Sequence, residues 1–212
     1  MRALNSALNP ARRAARSLAL RAALAVLPAL LLPRAASALE LHGVDVPAGA
    51  QLGGRALLLN GAGTRYFLIF KVYVAELYLP QRTRAAADAL AMPGPKLMRL
   101  VMLRDVSGKE LGDKLTEDIQ NNIDPADFAG MITGLARMGG LFAERHELHS
   151  GDVVELADVP GHGMTIAING ASTGAPYTEP GFFDNMLRIW LGPRPAERRL
   201  KQALLGDAKV AD

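Results

Sequence analysis

The chain reads as an α+β protein built on a large, mostly antiparallel sheet, and three observations in its 212 residues say so. Strand-like and helix-like segments come in blocks (strands, helices, strands, helices) without the regular alternation that a parallel sheet demands. Residues 66–79 (Tyr-Phe-Leu-Ile-Phe-Lys-Val-Tyr-Val-Ala-Glu-Leu-Tyr-Leu) are rich in β-branched and aromatic side chains, the composition of a buried strand. Leu111, Leu115 and Ile119 recur every four residues, the stripe of a helix laid on a core.

Taken in order, residues 41–46 predict a short opening strand, with Val44-Asp45-Val46 alternating. Residues 55–60 predict a second strand, broken or bent by Gly61-Ala62-Gly63, and 66–79 a long third one. Residues 83–92 predict a short helix, capped by Thr83 and stopped by Pro93-Gly94-Pro95, and 96–104 return to strand. Ser107 with Glu110 three residues on has capping-box spacing, so a helix follows over 107–123. Asp124-Pro125 opens another helix, because proline is preorganised for the first helical position, and Gly139-Gly140 are expected to interrupt it. Residues 151–156 and 164–169 predict strands joined by the turn Pro160-Gly161-His162-Gly163. Asn169-Gly170 is a hairpin signal, with a short strand expected near Thr173. Helices over 181–191 and 195–205 complete the chain.

The first 38 residues stand apart. Five arginines and no acid lie within residues 1–21, the apolar run 22–33 is too short to span a bilayer, and Ala36-Ser37-Ala38 is a small-x-small cleavage signal. Residues 1–38 therefore read as a secretory signal peptide, leaving one domain over 39–212, periplasmic and without a transmembrane segment. Six of the 24 basic residues and none of the 21 acidic ones lie in 1–38, so the rest carries 18 against 21, a formal charge of −3. The basic isoelectric point, about 9.4, belongs to the leader, and nucleic-acid binding, which needs a retained basic face, is not expected. With no cysteine, disulfides, thiolate zinc sites and cysteine nucleophiles are excluded.

Most candidate chemistry has an ordinary explanation. His146 and His149, three apart beside Glu144 and Glu147, have no visible third metal ligand and read as a solvated helix end. His162 lies in a turn, Asp113, Glu117 and Asp118 on the polar side of a helix, and Asp184 near a helix N-terminus, where it complements the macrodipole. No Gly-x-Ser-x-Gly elbow occurs, and Gly61-Ala62-Gly63 precedes a strand and lacks the third glycine of a dinucleotide fingerprint. No cofactor and no metal are expected.

Arg65 is different. It ends the glycine-rich stretch Leu59-Asn60-Gly61-Ala62-Gly63-Thr64-Arg65 and opens the most apolar segment, a permanent cation beside apolar walls. Glycines before it allow close backbone approach by a ligand. Lys71 and Tyr73 lie at even offsets from it, on one face if the strand is unbroken. An unbroken strand, however, would separate residues 65 and 73 by about 26 Å at roughly 3.3 Å per residue. For Arg65 and Tyr73 to share a ligand, the chain must turn between them, near 66–68.

These residues resemble the chalcone isomerase family, specifically its bacterial, exported branch. The markers are 59–65, Lys-Val-Tyr-Val-Ala-Glu-Leu-Tyr-Leu at 71–79, and Ile189-Trp190-Leu191-Gly192-Pro193. The resemblance implies an open-faced β-sandwich, a large antiparallel sheet covered by a helical layer with a ligand cleft between them. It also implies that Arg65 matches the arginine with which plant isomerases polarise the flavanone core and with which their fatty-acid-binding relatives hold a carboxylate. Tyr73 falls where the isomerases carry a catalytic threonine and the fatty-acid binders a tyrosine. The isomerases' helical tyrosine and asparagine correspond to Leu111 and Asp118, a hydrocarbon and an anion.

The expected function is thus non-catalytic: binding of a fatty acid, or a similar apolar or phenolic anion, through Arg65 and Tyr73. Phe67, Ile69, Val72 and the 107–123 helix are expected to wall its tail. The alternatives are an intramolecular lyase or isomerase acting on a phenolic or enone substrate, with Arg65 as electrophile, and a structural or interaction domain without a small ligand, which a cleft filled by its own side chains would favour.

Overall fold

A computed structural model describes residues 39–207, 209 and 211; the expected signal peptide lies outside the described residues. The strands are β1 (Leu39–Leu41), β2 (Val44–Val46), β3 (Gly49–Leu52), β4 (Arg55–Phe67), β5 (Phe70–Leu79), β6 (Lys96–Met102), β7 (Val106–Ser107), β8 (Glu147–Leu148), β9 (Val153–Val159), β10 (Gly163–Ile168) and β11 (Ala171–Ser172). The helices are α1 (Ala86–Ala91), α2 (Gly108–Gln120), α3 (Pro125–Glu144), α4 (Phe182–Leu191) and α5 (Arg198–Leu204). Seven strands form one sheet in the order β11-β10-β9-β6-β5-β4-β3, with every neighbouring pair antiparallel. The α+β class expected from the blockwise order of elements is the one found.

One face of the sheet meets the helices. Tyr73, Ala75 and Leu77 of β5, Met98, Leu100 and Met102 of β6, and their counterparts on β9 and β10 share a core with α2, α3 and α4. The predicted α2 stripe of Leu111, Leu115 and Ile119 is buried in it, each leucine contributing about 1.5–3 kcal/mol. Ser107 caps α2, its Oγ accepting from the Glu110 amide at 3.4 Å. The opposite face carries Val74 and Val101 beneath Leu41 and Val46 of the β1–β2 hairpin.

That face also holds a polar cluster. Glu76 is fully buried; Tyr78 donates to its Oε2 at 2.6 Å, and Arg99 donates to both carboxylate oxygens at 2.9 and 3.0 Å. Burial pushes the Glu76 carboxyl above its ordinary value, against the opposing pull of the Tyr78 hydroxyl and Arg99.

Several boundaries differ from expectation. Residues 41–46 form a tight hairpin rather than one strand, turning at His42-Gly43 with both residues at positive φ. Helix α3 runs through Gly139-Gly140 without a break. Two glycines cost about 1 kcal/mol each there, which burial of Met131, Leu135, Met138 and Phe142 on the same helix outweighs. Helix α1 starts at Ala86, and Thr83 accepts from the Ala85 amide instead of capping at its own position. The largest differences lie in 55–79. The glycines do not end β4, which continues to Phe67 with a register shift between Leu59 and Gly61. The apolar run 66–79 is not one strand but the two sides of a hairpin, turning at Leu68-Ile69 between the paired Phe67 and Phe70.

The glycines of β4 serve a packing role. Helix α5 lies directly on this strand: a Cβ on Gly61 would collide with the carbonyl oxygens of Ala203 and Leu204, and one on Gly63 would stand 2.6 Å from the Ala203 Cβ. Asn60, at the register shift, donates to the Leu204 carbonyl at 2.7 Å and accepts from the Thr83 amide at 2.7 Å. Gly61→Ala is therefore expected to lower stability by about 1–3 kcal/mol through overpacking, read as a reduced urea midpoint. An unchanged midpoint would mean that α5 does not need this approach.

Glu76 supplies a pH-dependent prediction. Its raised value means that the folded chain binds this proton more tightly than the unfolded chain. The associated stability is fully present below about 4.5, its ordinary value, and is lost as pH rises through the raised one. Urea midpoints measured from acidic to neutral pH should fall more steeply for the wild type than for Glu76→Gln; parallel profiles would refute it.

Candidate functional site

The β4–β5 hairpin brings the two predicted site residues together. Arg65 and Tyr73 are direct partners across the two strands, so their side chains share a face and stand within side-chain reach. The required turn exists, one step beyond the expected place. Lys71 does not join them: a second register shift, between Arg65 and Tyr66, pairs it with Tyr66, and its ammonium lies 2.8 Å from Nδ1 of His42.

Tyr73 is buried among core residues, and its hydroxyl oxygen accepts from the indole Nε1 of Trp190 at 3.1 Å. Burial pushes its phenol above the ordinary tyrosine range, opposed by the Arg65 charge and the indole bond and assisted by Asp118 and Glu197. It is therefore neutral at pH 7, with its O–H available to donate. Trp190 comes from the Ile-Trp-Leu-Gly-Pro segment at the end of α4. Two residues on, Gly192 lies against Asn122, whose side chain accepts from the Arg194 amide at 2.8 Å and donates to the Arg194 carbonyl at 2.7 Å.

Arg65 already holds an anion. Its Nη1 lies 3.4 Å from Oε2 of Glu197, the residue before α5, and also donates to the Tyr66 carbonyl. The same Glu197 oxygen accepts from the Tyr66 amide at 2.8 Å. Both partners are largely enclosed, with 13% of the Arg65 side chain exposed and 20% of the Glu197 one. The carboxylate thus sits where guanidinium, backbone amide and apolar sheet meet. Chemically the arrangement can bind and orient an anionic head group and offer it a neutral phenol.

Sequence reasoning missed Glu197 and Trp190. Glu197 is 132 residues from Arg65 and lies in no motif, so only the fold reveals it. Trp190 is the one tryptophan and stands in the segment 189–193, but nothing local ties it to Tyr73.

Other expectations need correction. The glycines before Arg65 admit α5, not a ligand. Phe67 and Ile69 wall no cleft; they are 58% and 83% exposed at the hairpin tip, and only Val72 packs on the core. Leu111 is buried, and Asp118 is paired with Lys114 at 3.1 Å. Asp184 lies in the first turn of α4, as expected, and also holds the buried Lys96. His146 and His149 share no helical face, because α3 ends at Glu144; His149 stands exposed beside Asp105 and Glu147. A cavity of about 440 Å³ opens at the C-terminal end of α5, lined by Leu59, Asn60, Arg84 and Leu205 among others, and includes neither Arg65 nor Tyr73. Among the described residues, no helix is long and apolar enough to cross a membrane.

Comparison with known proteins places this geometry in context. Among solved structures, a fatty-acid binding protein of Arabidopsis thaliana is similar, with a TM-score of 0.61 and 17% identity over 80% of this chain and 95% of that one. At that identity the likeness is one of fold. No curated protein matches the sequence. A family model described as chalcone isomerase-like matches residues 38–206, nearly all of the described domain. The chain belongs to the chalcone isomerase-like family.

Proposed function

We propose that the protein is an exported, periplasmic, non-catalytic binding module for a fatty acid or similar apolar carboxylate, with Arg65 and Tyr73 receiving the head group. The observation that carries this reading is the carboxylate already seated on Arg65. A ligand carboxylate would exchange with that of Glu197, taking the charge-assisted bond to the guanidinium and a hydrogen bond from the neutral Tyr73 phenol. Its tail would lie along the half-buried Val72, since the α2 stripe is already packed in the core. The fatty-acid binding named for the Arabidopsis relative agrees with this reading.

The competing reading, an isomerase or lyase polarising a phenolic or enone substrate through Arg65, lacks partners around the same point. Leu111 offers no hydroxyl, and Asp118 offers an anion neutralised by Lys114 rather than a neutral amide.

Native mass spectrometry of residues 39–212 from a periplasmic preparation tests the proposal. A bound long-chain acid, released on denaturation and absent from Arg65→Ala, is expected. With added palmitate, Arg65→Ala should weaken binding roughly ten- to a hundredfold, the loss of one hydrogen bond to a charged group at about 1.5–3 kcal/mol. Glu197→Gln retains an acceptor for the Tyr66 amide but removes the competing charge, so its affinity should rise. An apo protein that takes up no palmitate, or turnover of a chalcone that disappears in Arg65→Ala, would reverse the conclusion.

A further inference from the structure

Six large apolar side chains stand exposed among the described residues, and four of them are consecutive: Phe67 at 58%, Leu68 at 82%, Ile69 at 83% and Phe70 at 50%. Together they form the tip of the β4–β5 hairpin. We propose that this tip is a membrane-docking element that inserts into the interface of a bilayer containing anionic phospholipid. The proposal goes beyond ligand binding and stands whether or not Arg65 takes a carboxylate.

Folding does not account for these residues. Leu68 has φ of 56°, in the left-handed region that suits glycine or asparagine at the first position of a two-residue hairpin loop. A leucine there is strained, and its side chain lies in the open rather than in the core. The turn thus keeps a large apolar group against both backbone preference and hydration. The tip is also held out rigidly, because β5 beneath it runs through the core of the sheet.

The surroundings indicate what covers it. Lys71 and Arg104 are exposed beside the tip, and the Arg104 guanidinium lies 5.0 Å from the centre of the Phe70 ring. Arg198 and Arg199, also exposed, follow Glu197, whose carboxylate binds the amide of Tyr66, next to Phe67. Of the acids nearby, Glu197 is paired with Arg65 and Asp105 accepts from the Ser150 amide at 2.8 Å, while Glu40 and Asp45 stand exposed on the β1–β2 hairpin whose His42 meets Lys71. A basic collar on a domain of formal charge −3 is a local departure, and it complements anionic head groups. From the Tyr66–Lys71 pair to the tip, the chain advances about 7 Å at ~3.3 Å per residue, within the roughly 5–10 Å to which interfacial elements sink. At that depth Lys71 and Arg104 reach the phosphates.

Vesicle flotation tests the idea with residues 39–212, since Ala36–Asp212 forms a compact unit by itself and the leader's own apolar run would bind lipid. The protein is expected to float with vesicles of phosphatidylcholine and phosphatidylglycerol, and less with phosphatidylcholine alone. Leu68→Ser combined with Ile69→Ser should lower the partition coefficient at least about tenfold. Lys71→Gln with Arg104→Gln should remove the preference for phosphatidylglycerol. Leu68→Gly, which suits the positive φ, should raise the melting temperature while weakening flotation, a pairing that no folding defect produces. Wild-type protein left unbound by both vesicle types would overturn the proposal. So would a dimer in sedimentation that the double serine variant dissociates, which would assign the tip to a second copy of the chain.

Discussion

The contact on which most of this architecture depends is the seating of helix α5 on strand β4. A strand normally keeps a helix about one side-chain layer away, but here two glycines remove that layer and the backbones nearly touch. Such closeness must be fixed at both ends, and polar groups do so: Asn60 holds the Leu204 carbonyl, and Arg65 holds Glu197 before the first turn. The segment Leu59-Asn60-Gly61-Ala62-Gly63-Thr64-Arg65 is therefore a track, with its polar residues spaced to the length of the helix it receives.

Residues whose role is local were legible in the sequence. The Leu111-Leu115-Ile119 stripe, the Ser107 cap and the Asn169-Gly170 turn each depend on neighbours within a few positions, and each is found as read. The apolar run 66–79 misled because its turn carries Leu68-Ile69, where a two-residue loop ordinarily shows glycine or asparagine. Composition alone could not divide it. Arg65 and Tyr73 were legible as candidates, and their pairing followed once a turn was required between them. Glu197 was not, since a contact spanning 132 residues leaves no periodicity or motif. The glycines were correctly read as sites of close approach but matched to the wrong visitor.

The site itself is a balance of enclosed charges. A guanidinium with 13% of its side chain exposed needs an anion, and the chain supplies one from the start of its last helix. Any competing anion must offer as much to Arg65 and also leave the Tyr66 amide satisfied. On the proposed reading, that requirement would favour ligands whose apolar portion adds binding energy to the head group, over small hydrophilic acids. The Trp190–Tyr73 bond links the same point to α4, so two C-terminal helices, rather than the sheet alone, define its geometry.

The pairing of β4 has one more consequence. Strand β3 covers only residues 55–58 of β4 and Ala48 just before it accepts from the Leu59 amide, so beyond residue 59 no described strand borders the outward edge. Two amides of that edge are met by the C-terminal region, Thr64 by the Ala211 carbonyl at 2.9 Å and Tyr66 by the Glu197 carboxylate. Ala211 and Glu197 thus act as a guard on a sheet edge. Lifting them, by truncation or by loss of the Glu197 carboxylate, would bare a β-strand able to pair with another chain, beside an apolar tip. The seating of α5 on β4 and the protection of this sheet edge are, in this fold, a single constraint.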